Sequence, residues 1–146
     1  MSGVFETAAG AFAVVGVADV LVRTGRDIYT FLSNVADAPE ELNRLRESVK
    51  ETLLLYQASR QCQDDLRTRN SPATPAGAAA LLDSATKALN RELQSLKLVA
   101  TKFKGKKIWS RVRYVLNESK VTKATRNLEN AKALLASALT LASRYV

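Results

Sequence analysis

Histidine is absent from this chain of 146 residues. Without it the single cysteine, Cys62, has no imidazole to take its proton, so Cys–His nucleophilic catalysis is excluded. One cysteine also excludes an internal disulfide, and its use suits a reducing compartment. Cys62 therefore reads as a core or boundary residue. No Gly-rich loop leads into a Lys-Ser/Thr pair, which excludes a phosphate-binding loop of that type. The acidic pairs Glu40/Glu41 and Asp64/Asp65 are adjacent in sequence. Adjacent residues on a helix point in different directions, so these pairs form neither a catalytic dyad nor a metal cage. The chain reads as a non-enzyme with no metal and no cofactor.

Strand signals are lacking too. There is no sustained alternation of apolar and polar residues, and no Asn-Gly or Asp-Gly hairpin turn. Three prolines and six glycines leave room for long helices. A secretory leader needs basic residues ahead of its apolar run; here Glu6 precedes it instead. Ser2 holds the place where myristoylation needs glycine. An apolar run of about 20 residues, enough to span a bilayer as one helix, is also missing.

A shorter run is present. Thr7 to Ala18 reads TAAGAFAVVGVA, without a charge, and is stopped by Asp19, Arg23, Arg26 and Asp27. A helix that is apolar all round is buried in protein or in lipid. This segment predicts a helix over 3–20, followed by a second over 20–35 with Ile28, Phe31, Leu32 and Val35 inward. Gly25 weakens the join in this reading. Residues 1–36 form an apolar N-terminal helical region, and residues 37–146 a long-helix bundle within one domain.

The remaining helices carry clear stripes. Asp37-Ala-Pro-Glu is a start signal: a carboxylate able to cap amides, with proline in the first turn. Leu42, Leu45, Val49, Leu53 and Tyr56 then recur at steps of three and four, predicting a helix over 38–69. The stretch Asn70-Ser-Pro-Ala-Thr-Pro-Ala-Gly is a loop. A helix over 76–104 presents Leu82, Ala85, Leu89, Leu93, Leu96, Ala100 and Phe103, with Gly105 as its stop. A short helix spans Ile108 to Leu116. The last helix, 119–145, presents Val121, Ala124, Leu128, Ala131, Leu135, Ala138, Ala142 and Tyr145. The fold class is all-α, a bundle of four to six helices with an apolar N-terminal helix.

The net charge of +8 is uneven. Residues 71–146 hold fourteen basic side chains against four acidic ones, whereas each earlier stretch is close to neutral. The excess peaks at Lys102, Lys104, Lys106, Lys107, Arg111 and Arg113, interleaved with Phe103, Ile108 and Trp109. Such a patch attracts polyanions: anionic lipid, nucleic acid or an acidic partner. Trp109 suits a headgroup layer, and suits better a core anchor for the short helix with the lysines solvated around it. No motif that reads DNA or RNA accompanies the charge, which counts against nucleic acid.

The opening GVFETAAGAFAVVGVADVLVRTGRDIYTFLSNVADAPEELNRLRE, the basic WSRVRYVL and the closing NLENAKALLASAL resemble the HeLo-like N-terminal domains of fungal signal-transducing NTPases and related cell-death proteins. The resemblance runs over nearly the whole chain. It implies a bundle similar to that of the animal necroptosis executioner and to plant resistance coiled-coil domains. It implies a membrane-permeabilising effector of regulated cell death, cytoplasmic at rest and at the plasma membrane once oligomerised. The trigger would be a C-terminal or separate receptor or amyloid-forming module. The inserting segment would be Val4 to Val22, with Val4, Phe5, Phe12, Val14, Val15 and Val17 as its bulky members. The cluster from Lys102 to Arg113 would hold anionic phospholipid. A non-lytic protein–protein adaptor and a nucleic-acid-binding bundle are the competing expectations.

Overall fold

The computed structural model describes the backbone of residues 9–68, 76–103 and 105–144, with side chains over 20–65, 77–103 and 105–144. Four long helices carry the fold: α1 (Ala9–Ser33), α2 (Glu40–Thr68), α3 (Ala76–Lys102) and α5 (Glu118–Ser143). One short helix, α4 (Trp109–Val112), lies between α3 and α5. No strand occurs among the described residues, and the chain is an all-α bundle. The predicted helices over 38–69, 76–104 and 119–145 are present within two residues at each end.

The stripes seen in the sequence form the core. Leu42, Leu45, Val49, Leu53 and Tyr56 of α2 are buried, as are Leu82, Ala85, Leu89, Leu93 and Leu96 of α3. On α5 every predicted inward position from Val121 to Ala142 is buried; Tyr145 lies outside the described residues. Each large apolar side chain so buried contributes about 1.5–3 kcal/mol. Alanines at four of those α5 positions let its neighbours approach closely.

The helices take the corners of a square. α5 packs on α2 and α3, and α1 packs on the same two helices, so α1 and α5 are diagonal partners without contact among the described residues. α2 and α5 run parallel: Ser48 Oγ donates to Glu129 Oε2 at 2.7 Å, and Ser59 Oγ donates to the Leu135 carbonyl at 3.2 Å. Lys132 closes the same seam, with Nζ 2.9 Å from Glu51 and 3.4 Å from Glu129. That hydrogen bond to Glu51 holds the Lys132 pKa above its ordinary value. α3 and α5 run antiparallel, joined by Asn127 Nδ2 donating to Glu92 at 2.7 Å. The Gln63 amide nitrogen is buried near the far end with no hydrogen-bond partner among the described residues. Cys62 is half-buried there against Ala78 and Ala142, as a boundary residue.

Three local expectations are corrected. The short helix expected from Ile108 to Leu116 covers only Trp109–Val112, and the residues from Arg113 to Leu116 form a turn. The N-terminal region is not two helices, because α1 is continuous through Gly25. The glycine serves packing instead: a Cβ there would lie 2.5 and 2.7 Å from the two Leu53 methyl carbons. α1 sits on α2 at a residue with no side chain to keep them apart. Asp37 does not cap α2 either. It takes a left-handed φ of 58°, a conformation that aspartate tolerates in turns. The helix's own bonding begins one turn in, with the amides of Leu42 and Asn43 donating to the Pro39 carbonyl.

The Gly25 contact has a measurable consequence. Replacing a helical glycine ordinarily gains up to about 1 kcal/mol in helix propensity, but overpacking costs about 1–3 kcal/mol. For Gly25→Val, which adds three carbons against a buried leucine, a net loss of about 2 kcal/mol is expected. At Gly77 the nearest atom to an added Cβ is 4.0 Å away, so Gly77→Ala should be neutral or stabilising. Urea midpoints check both. A Gly25→Val protein as stable as wild type would mean that α1 is not seated on Leu53.

Candidate functional site

The chain order places the end of α1, the start of α2, the end of α3 and the start of α5 at one end of the bundle. α3 ends at Lys102, and Gly105 then takes a φ of 125°, which a side chain would make strained. Phe103 turns back onto α1, its ring 6.2 Å from that of Phe31 in an edge-to-face contact. The next residues are pinned to the α1–α2 connector. The Ala36 amide donates to the Lys107 carbonyl at 2.7 Å, and the Trp109 amide donates to the Ala36 carbonyl at 2.9 Å. These bonds make an isolated parallel bridge between Ala36 and Ile108. α4 follows with Val112 buried, and Leu116 is buried just beyond it. Asn117 then caps α5, its side chain accepting from the Lys120 amide at 2.9 Å.

This construction sorts the cluster into anchors and charges. Phe103, Ile108 and Trp109 are half-buried, and Phe103 and Trp109 pack against the core. Lys102, Lys106, Lys107, Arg111 and Arg113 are exposed. None of these five forms an ion pair among the described residues, in contrast to Arg44, Arg46, Lys87 and Lys132. Lys104 lies outside the described residues. Lys107 extends its ammonium over the Phe31 ring, 5.5 Å from the centroid, a cation–π contact. An Arg111 guanidinium nitrogen comes within 3.8 Å of where a Gly105 Cβ would stand, so α4 and the glycine turn share one surface. From Lys102 to Arg126 nine basic residues face a single acid, Glu118.

One residue of this end escaped the sequence reading. Tyr114, in the turn after α4, is 84% exposed. Of the two readings that the sequence left open for Trp109, the structure matches the core anchor, and Trp109 packs against the core. Val112 and Leu116 are the signal that was available: inward positions four apart leave the residue midway between them on the outside.

The N-terminal candidates lie elsewhere. Val4 and Phe5 fall outside the described residues. Phe12, Val14, Val15 and Val17 are on α1, with side-chain surroundings outside the described residues. As one helix of 25 residues, α1 is about 37 Å long. Its apolar start and the basic end are therefore at opposite ends of the bundle. No helix among the described residues is long and apolar enough to cross a membrane.

Two furrows run along the sides. Between α1 and α2 an apolar groove of about 320 Å³ is lined by Val22, Tyr29, Leu53 and Leu54, with Arg26 and Lys50 on its rim. Between α2 and α5 a furrow holds Arg46, Glu47, Glu51, Glu129 and Lys132. Its charges pair with each other, which makes it a clamp between helices. Among the described residues no group of three or more Cys, Asp or Glu is placed to hold a metal ion. Comparison with protein-family models, curated proteins and solved structures finds no match to this chain.

Proposed function

We propose that the chain is a membrane-targeting bundle of the HeLo-like kind, which binds anionic phospholipid through its basic end and permeabilises the membrane once several copies gather. The observation that carries this reading is the set of five exposed cations, without ion pairs among the described residues, at the end of α3 and along the loop and helix bonded to the α1–α2 connector. Structural cations pair with acids, as Lys132 does. Cations left free at one end favour a polyanionic surface, at roughly 1 kcal/mol each near an anionic membrane.

Permeabilisation falls to the other end of α1. Among the described residues the backbone of α1 comes close to α2 and α3 but not to α5, so α1 is the long helix whose departure leaves the seams of α5 with α2 and α3 in place. The groove beside it and the close seat at Gly25 keep it poised rather than welded. A receptor or amyloid module that raises local concentration then needs to supply only a modest bias. A second reading, a non-lytic adaptor, draws on the α1–α2 groove, which is flanked by Val20 and Leu54 at 49% and 58% exposure.

Co-sedimentation separates the readings. The protein is expected to pellet with phosphatidylserine-containing vesicles, to stay in solution with neutral ones, and to release trapped dye when tethered in clusters. Retention by duplex DNA with no vesicle binding would instead make the cations a nucleic-acid surface. Binding to neither would leave the adaptor.

A further inference from the structure

Tyr114 has the highest exposure of the large hydrophobic side chains described. The three others, Val20, Leu54 and Leu98, lie along the sides of long helices. Tyr114 alone sits at the end, in the turn between α4 and α5, directly after Arg113 and three residues after Arg111. Its amide is bonded to the Arg111 carbonyl at 3.3 Å, and its side chain has no hydrogen-bond partner among the described residues. The backbone is thus held while the phenol is left free in water.

We infer that Tyr114 is the aromatic anchor of the basic end, seated at the headgroup level of an anionic bilayer while Arg111, Arg113 and Lys106 meet the lipid phosphates. This rests on the membrane reading above and adds what the cations lack. Charges alone hold a protein above the surface and are screened by salt. A tyrosine brings an apolar body and a polar tip, which suits the interface between water and acyl chains. It fixes the contact as end-on, with the bundle axis standing away from the membrane. A base-stacking role for the same ring is disfavoured, because single-stranded nucleic acid is held by successive aromatics along a groove. Tyr114 is the only exposed aromatic among the described residues.

The test uses the full chain and phosphatidylcholine vesicles with and without phosphatidylserine. Tyr114→Ala is expected to weaken binding several-fold at every salt concentration, leaving the salt dependence and the helical spectrum as in wild type. Tyr114→Phe should retain most of the affinity. In Tyr114→Trp, brominated lipids should quench fluorescence well beyond the level that half-buried Trp109 gives in the wild type. If wild type binds and Tyr114→Ala binds equally, the anchor is disproved while the membrane reading stands. If wild type binds no vesicle, the membrane reading itself fails. Binding to single-stranded RNA that Tyr114→Ala abolishes would overturn the lipid assignment in favour of stacking.

Discussion

Reversing Lys102, Lys106, Arg111 and Arg113 to glutamate is expected to lower affinity for anionic vesicles by about a thousandfold or more. Four cations at roughly 1 kcal/mol each amount to about 4 kcal/mol, and each 1.4 kcal/mol is tenfold. Reversal adds repulsion to the loss. Lys107 is left in place because its ammonium lies over Phe31, where a carboxylate would disturb the loop as well as the charge. The four chosen residues are exposed and form no ion pair among the described residues, so the bundle should stay folded, with a cost of about 0.3–1 kcal/mol for each carboxylate placed at a helix C-terminus, as at Lys102 and Arg111. Wild-type binding should fall with added salt, since exposed charges are screened over about 8–10 Å at physiological ionic strength. A reversed protein that is folded and still pellets with anionic vesicles removes this end from the mechanism.

The sequence was most legible where one face of a helix must be apolar. Leu42 to Tyr56, Leu82 to Leu96 and Val121 to Ala142 recur at steps of three and four, and burial follows that recurrence. It was least legible where two distant segments meet. Gly25 looked like a weak point because glycine lowers helix propensity, yet its role depends on Leu53, which lies 28 positions along the chain. Asp37 looked like a cap because its residue type is right; the turn needed its tolerance of positive φ instead. The bridge from Ala36 to Ile108 has no local signal at all, and it decides that the lysine loop sits beside the end of α1. Trp109 and Tyr114 show the same limit. Residue type left Trp109 open to either role, and only burial showed that it is occupied while Tyr114 is not.

Separating the basic end from the apolar start of α1 gives the strongest prediction about permeabilisation. Binding and leakage should come apart in Val15→Glu. Its basic end is intact, so it should pellet with anionic vesicles as wild type does; its N-terminal run carries a new charge, so it should release almost no dye. The uncharged run from Thr7 to Ala18 is about 18 Å long as a helix, against a hydrocarbon core of about 30 Å. It cannot span alone, and leakage therefore needs several copies entering part of the depth together. A charged side chain near the middle of a bilayer costs about 2.5–3.5 kcal/mol, on the order of a hundredfold per copy. An oligomer compounds that cost, which makes loss of leakage steep. Folding is checked first, by helical content and urea midpoint, because a bundle that has lost α1 would also fail to leak. The opposite ends add a further requirement. A bundle bound end-on by its cations holds the start of α1 about 37 Å from the bilayer, so α1 must swing out before it can insert. Gly25→Val, which pushes α1 away from Leu53, should then leak faster than wild type at equal binding. A folded Val15→Glu protein that leaks like wild type would show that this segment does not insert. Binding through the basic end would then serve an adaptor that gathers partners at the membrane without breaching it.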